Sequence, residues 1–168
     1  MAPTVVLVGA PGSGKSTIGE LIAEKLKVAF TDTDQVVEEI AKKTISQIFI
    51  DDGEAAFRLL EQEVVANTIE NSTGVVSLGG GAVLNPQTRT LLKSVPTLWL
   101  EVSQKSAAAR VGLAQARPVL VGNVRATLVK LLEERTPLYQ EVATFSIDTS
   151  EKSTAEVLNL ALEWLSNE

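Results

Sequence analysis

The chain alternates between short apolar runs and stretches with helical spacing of apolar residues. The short runs are rich in β-branched or large apolar side chains and predict strands at 4–8, 28–32, 74–78, 97–100 and 145–147. Between the first two runs, Ile18, Leu21, Ile22 and Leu26 recur at the spacing of one helical face. Strands that alternate with helices are typical of α/β proteins, so we predict one domain over residues 1–168 with a five-stranded parallel sheet between helical layers.

The segment 33–70 is long for a simple connection between two strands. Its helical pattern is broken near Lys43 and again at Asp51–Gly53. We therefore predict a helical region here, separated from the regular alternation of strands and helices.

Helix starts are marked at three later positions. Asn85 precedes Pro86, a residue that is favoured in the first turn of a helix. Asn123 is a second candidate N-cap, and Ser153 with Glu156 three residues later forms the pattern of a capping box. These signals predict helices after about 85, 123 and 153.

The amino-acid composition limits which residue types could catalyse a reaction and which partners the protein could bind. The chain has 168 residues, 45% hydrophobic, with a net charge of -6, no His and no Cys. Catalysis must therefore use Asp, Glu, Lys, Arg or hydroxyl groups, and an acidic chain argues against a nucleic-acid partner. No charged leader, long apolar span or exposed heptad seam is evident, so we expect a cytoplasmic monomer without a membrane partner.

The segment 9–16 fits the pattern G-x-x-x-x-G-K-[ST] and lies between a predicted strand and a predicted helix. In this phosphate loop, glycines let backbone N–H groups point at phosphate oxygens, Lys15 reaches the outer phosphates, and Ser16 offers a hydroxyl to Mg²⁺. A glycine-rich turn with a chance lysine is the alternative. The expected nucleotide-binding residues are Gly12, Ser13, Gly14, Lys15, Ser16 and Thr17.

Two carboxylates follow the second predicted strand. Asp32 and Asp34 lie at the carboxyl end of that strand, where ligands bind in open parallel sheets. Strand alternation would point both side chains the same way, so that one could support Mg²⁺ through water and the other could meet an acceptor hydroxyl. An N-cap pair for the next helix is the alternative.

Glycines and arginines elsewhere are ambiguous on pattern alone. The glycine loop, 79–81, follows the third strand and permits close approach of a ligand, or it is a flexible strand exit. Arg58 has Glu54 and Glu61 at helical spacing, which favours a surface ion-pair ladder. Arg117 falls in a stretch that could form a mobile lid. Arg135 precedes Pro137, which predicts a helix end that would favour a cation.

Taken together, six motifs resemble those of the shikimate kinases, in the same order and over nearly the whole chain. They are the phosphate loop at 12–17, Asp32-Thr33-Asp34, Phe57-Arg58, the glycine loop, Arg117-Pro118 and the segment 135–139, which reads Arg-Thr-Pro-Leu-Tyr. The resemblance implies transfer of the γ-phosphoryl group of ATP to the 3-hydroxyl of shikimate. It also implies the fold of the nucleoside-monophosphate kinases, with a lid at about 112–124 and an acceptor-binding region at 33–70.

The resemblance further implies roles for individual residues. Arg58 and Arg135 would hold the shikimate carboxylate, because paired guanidinium N–H groups suit a planar carboxylate. Asp34 would bind ring hydroxyls and orient, or accept the proton from, the attacking one, with the glycine-loop residues Gly79, Gly80 and Gly81 adding contacts. Arg117 would close over the phosphates. The remaining implied roles are adenine stacking by Arg110 and support of Mg²⁺ through water by Asp32.

The sequence departs from the common pattern of the family at two places, and two alternative functions stay open. Val119 stands where the family usually has leucine, and the segment 148–154 lacks the proline that many members place against adenine. Another small-molecule kinase of this architecture, for gluconate or a nucleoside monophosphate, is the first alternative. A nucleotide-binding switch with little phosphotransfer is the second.

Overall fold

The computed structural model describes residues 2–103, 105–106 and 124–168. Its strands are β1 (Val5–Val8), β2 (Phe30–Asp32), β3 (Val75–Ser77), β4 (Thr97–Glu101) and β5 (Phe145–Asp148). Its helices are α1 (Lys15–Leu26), α2 (Thr33–Ala41), α3 (Ile45–Asp52), α4 (Glu54–Asn71), α5 (Pro86–Leu92), α6 (Val124–Val142) and α7 (Thr154–Ser166). The strands form one parallel sheet in the order β2-β3-β1-β4-β5, which confirms the predicted architecture.

The central strand β1 is buried on both faces, as its apolar run predicts. Val6 and Val8 pack with α4, α5 and α6, whereas Val5 and Leu7 pack with α1 and α7. Successive side chains of a strand point to opposite faces, so the sheet has a helical layer on each side. This arrangement gathers the carboxyl ends of the strands, and the loops that follow them, at one edge.

The segment between β2 and β3 builds a small core of its own. Ile45, Phe57 and Val64 pack with neighbours from α2 and α3. The two predicted breaks are confirmed: Lys42 ends α2 in a left-handed conformation, and Gly53, at φ 87°, separates α3 from α4. Because α4 also packs against the sheet through Val65, this helical region is joined firmly to the rest of the fold.

Two predicted helix starts are confirmed. The Asn85 side chain accepts hydrogen bonds from the backbone N–H groups of Gln87 and Thr88, at 2.8 and 3.2 Å. Ser153 and Glu156 form the complete capping box at the start of α7. Asn123 lies outside the described residues.

Two boundaries differ from prediction. The strand predicted at 28–32 begins at Phe30, because Lys27 turns the chain at φ 57° and Val28 donates to the carbonyl of Ala23 in α1. The helix end predicted beside Arg135 is wrong, since α6 continues through Pro137 to Val142. A proline removes one helical N–H. Burial of residues beyond it against the sheet stabilises continuation of the helix.

No helix among the described residues is long and apolar enough to cross a membrane.

Candidate functional site

The phosphate loop leaves β1 and enters α1 in the conformation that its glycines predict. A Cβ atom on Gly9, at φ 153°, would lie 2.7 Å from the carbonyl oxygen of Leu100, and Gly14 precedes the helix at φ 89°. Lys15 Nζ donates to the carbonyl oxygens of Gly9 and Ala10, at 2.9 and 3.1 Å. The loop therefore folds around the lysine at the N-terminus of α1, where anions are favoured.

A cavity of about 230 Å³ lies on one side of the phosphate loop. Its lining residues come from the loop, from α1, from the β5–α7 connection and from the start of α7: Ser13, Gly14, Thr17, Ile18, Thr149, Lys152, Thr154 and Val157. Asp148, at the end of β5, accepts a hydrogen bond from the Ser150 backbone N–H at 3.0 Å, which lowers the pKa of this carboxyl. The connection that lacks the family's proline is thus ordered beside the phosphate loop.

Asp32 caps a helix and contacts the phosphate loop. Its carboxylate accepts a hydrogen bond from Ser16 Oγ at 2.8 Å, and its other oxygen caps α2 by accepting from the Asp34 backbone N–H at 2.9 Å. The N-cap interpretation is therefore correct for Asp32, and its support of Mg²⁺ through water stays a prediction. The pair presents carboxylate and hydroxyl oxygens, the ligand type that Mg²⁺ prefers.

Asp34 reaches the site from a helix and not from a strand. It lies in the first turn of α2, so the argument from strand alternation is wrong. The two carboxylates nevertheless line one central cavity of about 110 Å³. Its lining residues are Pro11, Lys15, Ser16, Asp32, Asp34, Ser77, Leu78, Gly79 and Gly80. The phosphate loop, both aspartates and the glycine loop therefore meet in one small space.

The glycine loop packs too closely against its neighbours to be a flexible strand exit. A Cβ atom on Gly80 would lie 3.0 Å from Cδ of Pro11, and one on Gly81 would lie 2.5 Å from both terminal nitrogens of Arg58. Side chains at these positions would displace Pro11 of the phosphate loop and the guanidinium of Arg58. The glycines here permit close approach of backbone to neighbouring groups.

Arg58 is held between two glutamates, as its sequence spacing predicts. Its guanidinium lies 3.5 Å from the Glu54 carboxylate and 2.7 Å from the Glu61 carboxylate, and it stacks over the ring of Phe57 at 5.1 Å. The prediction of a surface ladder is only half right, because the Glu61 side chain is 4% exposed. The sequence predicted this partner but not its burial, because spacing alone does not reveal which side of the helix is covered.

Arg135 is 5% exposed and lies in α6, one turn before Tyr139. The Tyr139 hydroxyl donates to the carbonyl oxygen of Gly80 at 2.5 Å. The helix that carries the second carboxylate-binding candidate is thus joined to the glycine loop. Arg110, Arg117 and the predicted lid at about 112–124 lie outside the described residues, except for Val124 at the start of α6.

The match to known proteins agrees with this geometry. A sequence model of the shikimate kinase family matches residues 11–166. The chain belongs to the shikimate kinase family. Members of this family are ATP-dependent kinases that phosphorylate a hydroxyl group of shikimate.

Individual relatives extend the family match over almost the full chain. A shikimate kinase from Thermobifida fusca (strain YX) is 52% identical over 94% of this chain and 92% of its own length. One from Salinispora arenicola (strain CNS-205) is 51% identical over 94% of each. The structure of the shikimate kinase from Acinetobacter baumannii, in complex with shikimate, has a TM-score of 0.94 at 33% identity and covers 100% of this chain and 96% of that one.

A gluconokinase from Sinorhizobium meliloti 1021 has a TM-score of 0.63 at 21% identity, which shows a shared fold and no more. The shikimate kinase family therefore accounts for this chain better than the gluconate kinase alternative.

Proposed function

We propose that this shikimate kinase family member transfers the γ-phosphoryl group of ATP to the 3-hydroxyl of shikimate in the central cavity. The observation that carries the proposal is the meeting of Lys15, Asp34 and Gly80 around that cavity. A phosphate-binding lysine thereby faces a carboxylate and a backbone segment that can bind hydroxyl groups. This juxtaposition is what transfer to an alcohol requires.

Nucleotide binding is assigned to the phosphate loop, from Gly12 to Thr17. Lys15 now donates to two neutral carbonyls. Phosphate oxygens are stronger acceptors for an ammonium group, so we expect the lysine to turn toward them when ATP binds. The cavity beside Thr17 and Thr149 would receive the nucleoside. Arg110 and Arg117 keep the roles that the family resemblance implies.

Mg²⁺ fits the oxygen atoms present. Ser16 Oγ and the Asp32 carboxylate lie 2.8 Å apart at the N-terminal end of α1, so the hydroxyl could bind the ion directly while Asp32 holds one of its waters. The bound ion would neutralise charge on the phosphate oxygens. The cap of α2 keeps the Asp32 carboxylate in place.

Acceptor binding is assigned to residues from four separate segments of the chain. Arg58 in α4 and Arg135 in α6 would hold the shikimate carboxylate, and the glycine loop would contact the ring through its backbone. Asp34 would orient the 3-hydroxyl or accept its proton. In the reaction, the hydroxyl oxygen bonds to the γ-phosphorus as the bond to the β–γ bridging oxygen breaks, and ADP leaves.

The acceptor-binding region, the lid, the location and the partners of the protein are assigned as the sequence predicts them. The region 33–70 supplies Asp34 and Arg58, which supports its assignment as the acceptor-binding region. Closure of a lid at about 112–124 would exclude water from ATP. A cytoplasmic location, a monomeric state and the absence of a nucleic-acid partner stay predictions.

The first test is ADP release from Mg-ATP with and without shikimate, for the unmodified chain and for Asp34→Asn. We expect shikimate-dependent release that falls by about 10²- to 10⁴-fold in the variant, the usual contribution of a positioned acid or base. Asp51→Asn is the matched control, because it removes the same charge from an exposed position on α3. It should retain activity.

Two results would count against the proposal. ATP binding without any dependence of ADP release on shikimate would leave the acceptor unidentified. Thermal stabilisation by gluconate or AMP, but not by shikimate, would favour another kinase of the same fold.

A further inference from the structure

Tyr139 connects a buried part of α6 to the backbone of the glycine loop. Its side chain is 1% exposed and its ring stacks on Trp99 of β4, with the ring centroids 5.9 Å apart. The hydroxyl ends at the Gly80 carbonyl oxygen, to which it donates at 2.5 Å. Packing therefore holds the ring, and the ring holds the hydroxyl at one carbonyl.

The hydrogen bond controls more than one atom of the loop. A trans peptide is planar, so its carbonyl and the following N–H point in opposite directions. Holding the Gly80 carbonyl toward Tyr139 therefore directs the Gly81 N–H away from it. Three consecutive glycines have more backbone freedom than any other tripeptide, so this peptide needs an external partner to keep one orientation.

Contacts on the other side of the loop limit its movement further. Gly80 packs against Pro11 of the phosphate loop, where even a methyl group would come within 3.0 Å of the proline ring. Beyond the glycines, Arg89 donates to the carbonyl oxygens of Val83 and Leu84, at 2.8 and 3.2 Å, and pairs with Glu141 of α6 at 3.2 Å. The segment from the glycine loop onward is thus joined to α6 at two points.

Of these two contacts with α6, the Tyr139–Gly80 hydrogen bond is the one that lies at the central cavity. Gly80 lines that cavity together with Asp34, whereas the Arg89–Glu141 pair lies farther along the chain and involves a carboxylate that is 40% exposed. Exposed pairs contribute little, and buried hydrogen bonds are costly to break. Tyr139 is therefore the contact able to set the loop at the site.

We propose that Tyr139 is a positioning residue for the acceptor. Its hydroxyl sets the orientation of the Gly80–Gly81 peptide and couples that peptide to Arg135, which lies one turn earlier on the same helix. The acceptor's ring contacts then depend on a single buried hydrogen bond, and their distance from Arg135 is set by one helix. The inference rests on the proposed function, because it assigns the glycine loop to acceptor binding.

The test is Tyr139→Phe, which removes the hydroxyl and keeps the ring in its stack with Trp99. We expect the KM for shikimate to rise about tenfold, the order expected for loss of one buried hydrogen bond, while the KM for ATP stays within twofold. Equilibrium dialysis with labelled shikimate should show the same weakening in the absence of turnover.

Val5→Ala separates positioning from general destabilisation. Val5 is fully buried at the start of β1 and packs on the face of the sheet opposite to Tyr139, so its truncation should lower Tm at least as much as Tyr139→Phe while leaving the KM for shikimate near its original value. A purely structural role for Tyr139 predicts that both variants lose Tm and that neither changes the two KM values selectively.

The KM values and shikimate-dependent ADP release together distinguish failure of this inference from failure of the proposed function. An unchanged KM for shikimate in Tyr139→Phe, or equal increases in both KM values, would overturn the inference and leave the proposed function standing. An unmodified chain with no shikimate-dependent ADP release would overturn both. A selective rise in the KM for shikimate, with Tm lower by no more than in Val5→Ala, would support the inference.

Discussion

At the scale of single residues, the proposed acceptor side of the site includes a glycine in close contact with a charged group. Gly81 has φ -97° and ψ 1°, a conformation that alanine also adopts, so its glycine is not required by backbone strain. A Cβ atom there would instead lie 2.5 Å from Nη1 and Nη2 of Arg58. The absence of a side chain at this position therefore keeps the guanidinium where it is.

Gly81→Ala is expected to displace Arg58 without unfolding the protein, because a guanidinium is the movable end of a flexible side chain. The displacement would disturb the 2.7 Å contact with Glu61 and the proposed contact with the shikimate carboxylate. We expect the KM for shikimate to rise by about ten- to a hundredfold, the range for loss of a charged hydrogen bond. Steady-state kinetics with each substrate varied in turn would measure it.

Gly53→Ala is the matched control for that prediction. Gly53 has φ 87° and open space around its Cα, so alanine there adds strain and no clash. It should lower the free energy of unfolding by about 1–2 kcal/mol and leave the KM for shikimate unchanged. The Gly81 prediction would be wrong if the two variants lost stability equally and neither altered acceptor binding.

Prediction of individual site residues succeeded for motifs whose residue types and spacing directly indicate a function. The phosphate loop, Asp32 and Asp34 all reach one cavity, as expected from their position after parallel strands. The burial of Glu61 and the hydrogen bond from Tyr139 to Gly80 were not predicted, because they depend on packing and on contacts distant in sequence. Tyr139 carried one usable signal, since it lies on the same helical face as Arg135 once α6 is known to continue past Pro137.

At the scale of secondary-structure elements, local signals predicted where helices begin better than where they end. Asn85 and Ser153 satisfy N–H groups that otherwise lack partners, so their side chains mark helix starts directly. The end of α6 depends instead on packing of Tyr139 and Val142 against the sheet. Tertiary contacts of this kind override the local effect of Pro137 and are not written in the neighbouring sequence.

The cap of α7 gives a test at this scale. Ser153→Ala removes the acceptor for the Glu156 backbone N–H, which lies at 3.1 Å, and leaves that N–H without its capping partner. We expect the free energy of unfolding to fall by about 1 kcal/mol, the usual value for an N-cap serine, as measured by urea denaturation. Glu156→Gln keeps an acceptor for the Ser153 N–H and should cost less. Equal losses in both variants would contradict the assignment of the cap to the serine.

At the scale of the whole molecule, two apolar layers hold the sheet and charged groups act mainly at its surface. The layers on either face of β1 follow from alternation of Val5, Val6, Leu7 and Val8, which is why a parallel sheet between two helical layers was predictable from the sequence, whereas the strand order was not predicted. The surface pairs were not, because they join helices far apart in the chain. Arg89 of α5 and Lys93, the residue that follows this helix, both lie 3.2 Å from the Glu141 carboxylate of α6.

These surface contacts determine how stability depends on pH. A hydrogen bond from Lys93 lowers the pKa of Glu141, and backbone N–H groups of Ser150 and Ser153 lower the pKa values of Asp148 and Glu156. A carboxyl whose pKa is lower in the folded state adds stability above its unfolded pKa and loses it as the pH falls through the folded value. For these three groups, the loss therefore begins below about pH 4.5.

Lys43 titrates at the opposite end of the pH range. Its hydrogen bond to Asp52 raises the pKa of its ammonium group, so its contribution is complete below about pH 10.5 and is lost only as the pH rises through the folded value. The chain has no His and no Cys. No side chain of the usual neutral-range types is left to titrate between these limits.

We therefore expect Tm to be constant between pH 6 and pH 8 and to fall below about pH 4, as measured by circular dichroism on heating. Glu141→Gln should have a lower Tm than the unmodified chain at pH 7, and the difference should shrink toward zero at acid pH because both side chains are then neutral. A step in Tm between pH 6 and pH 8 would show that a buried group titrates there. A difference that persists at acid pH would mean that Glu141 acts through packing and not through charge.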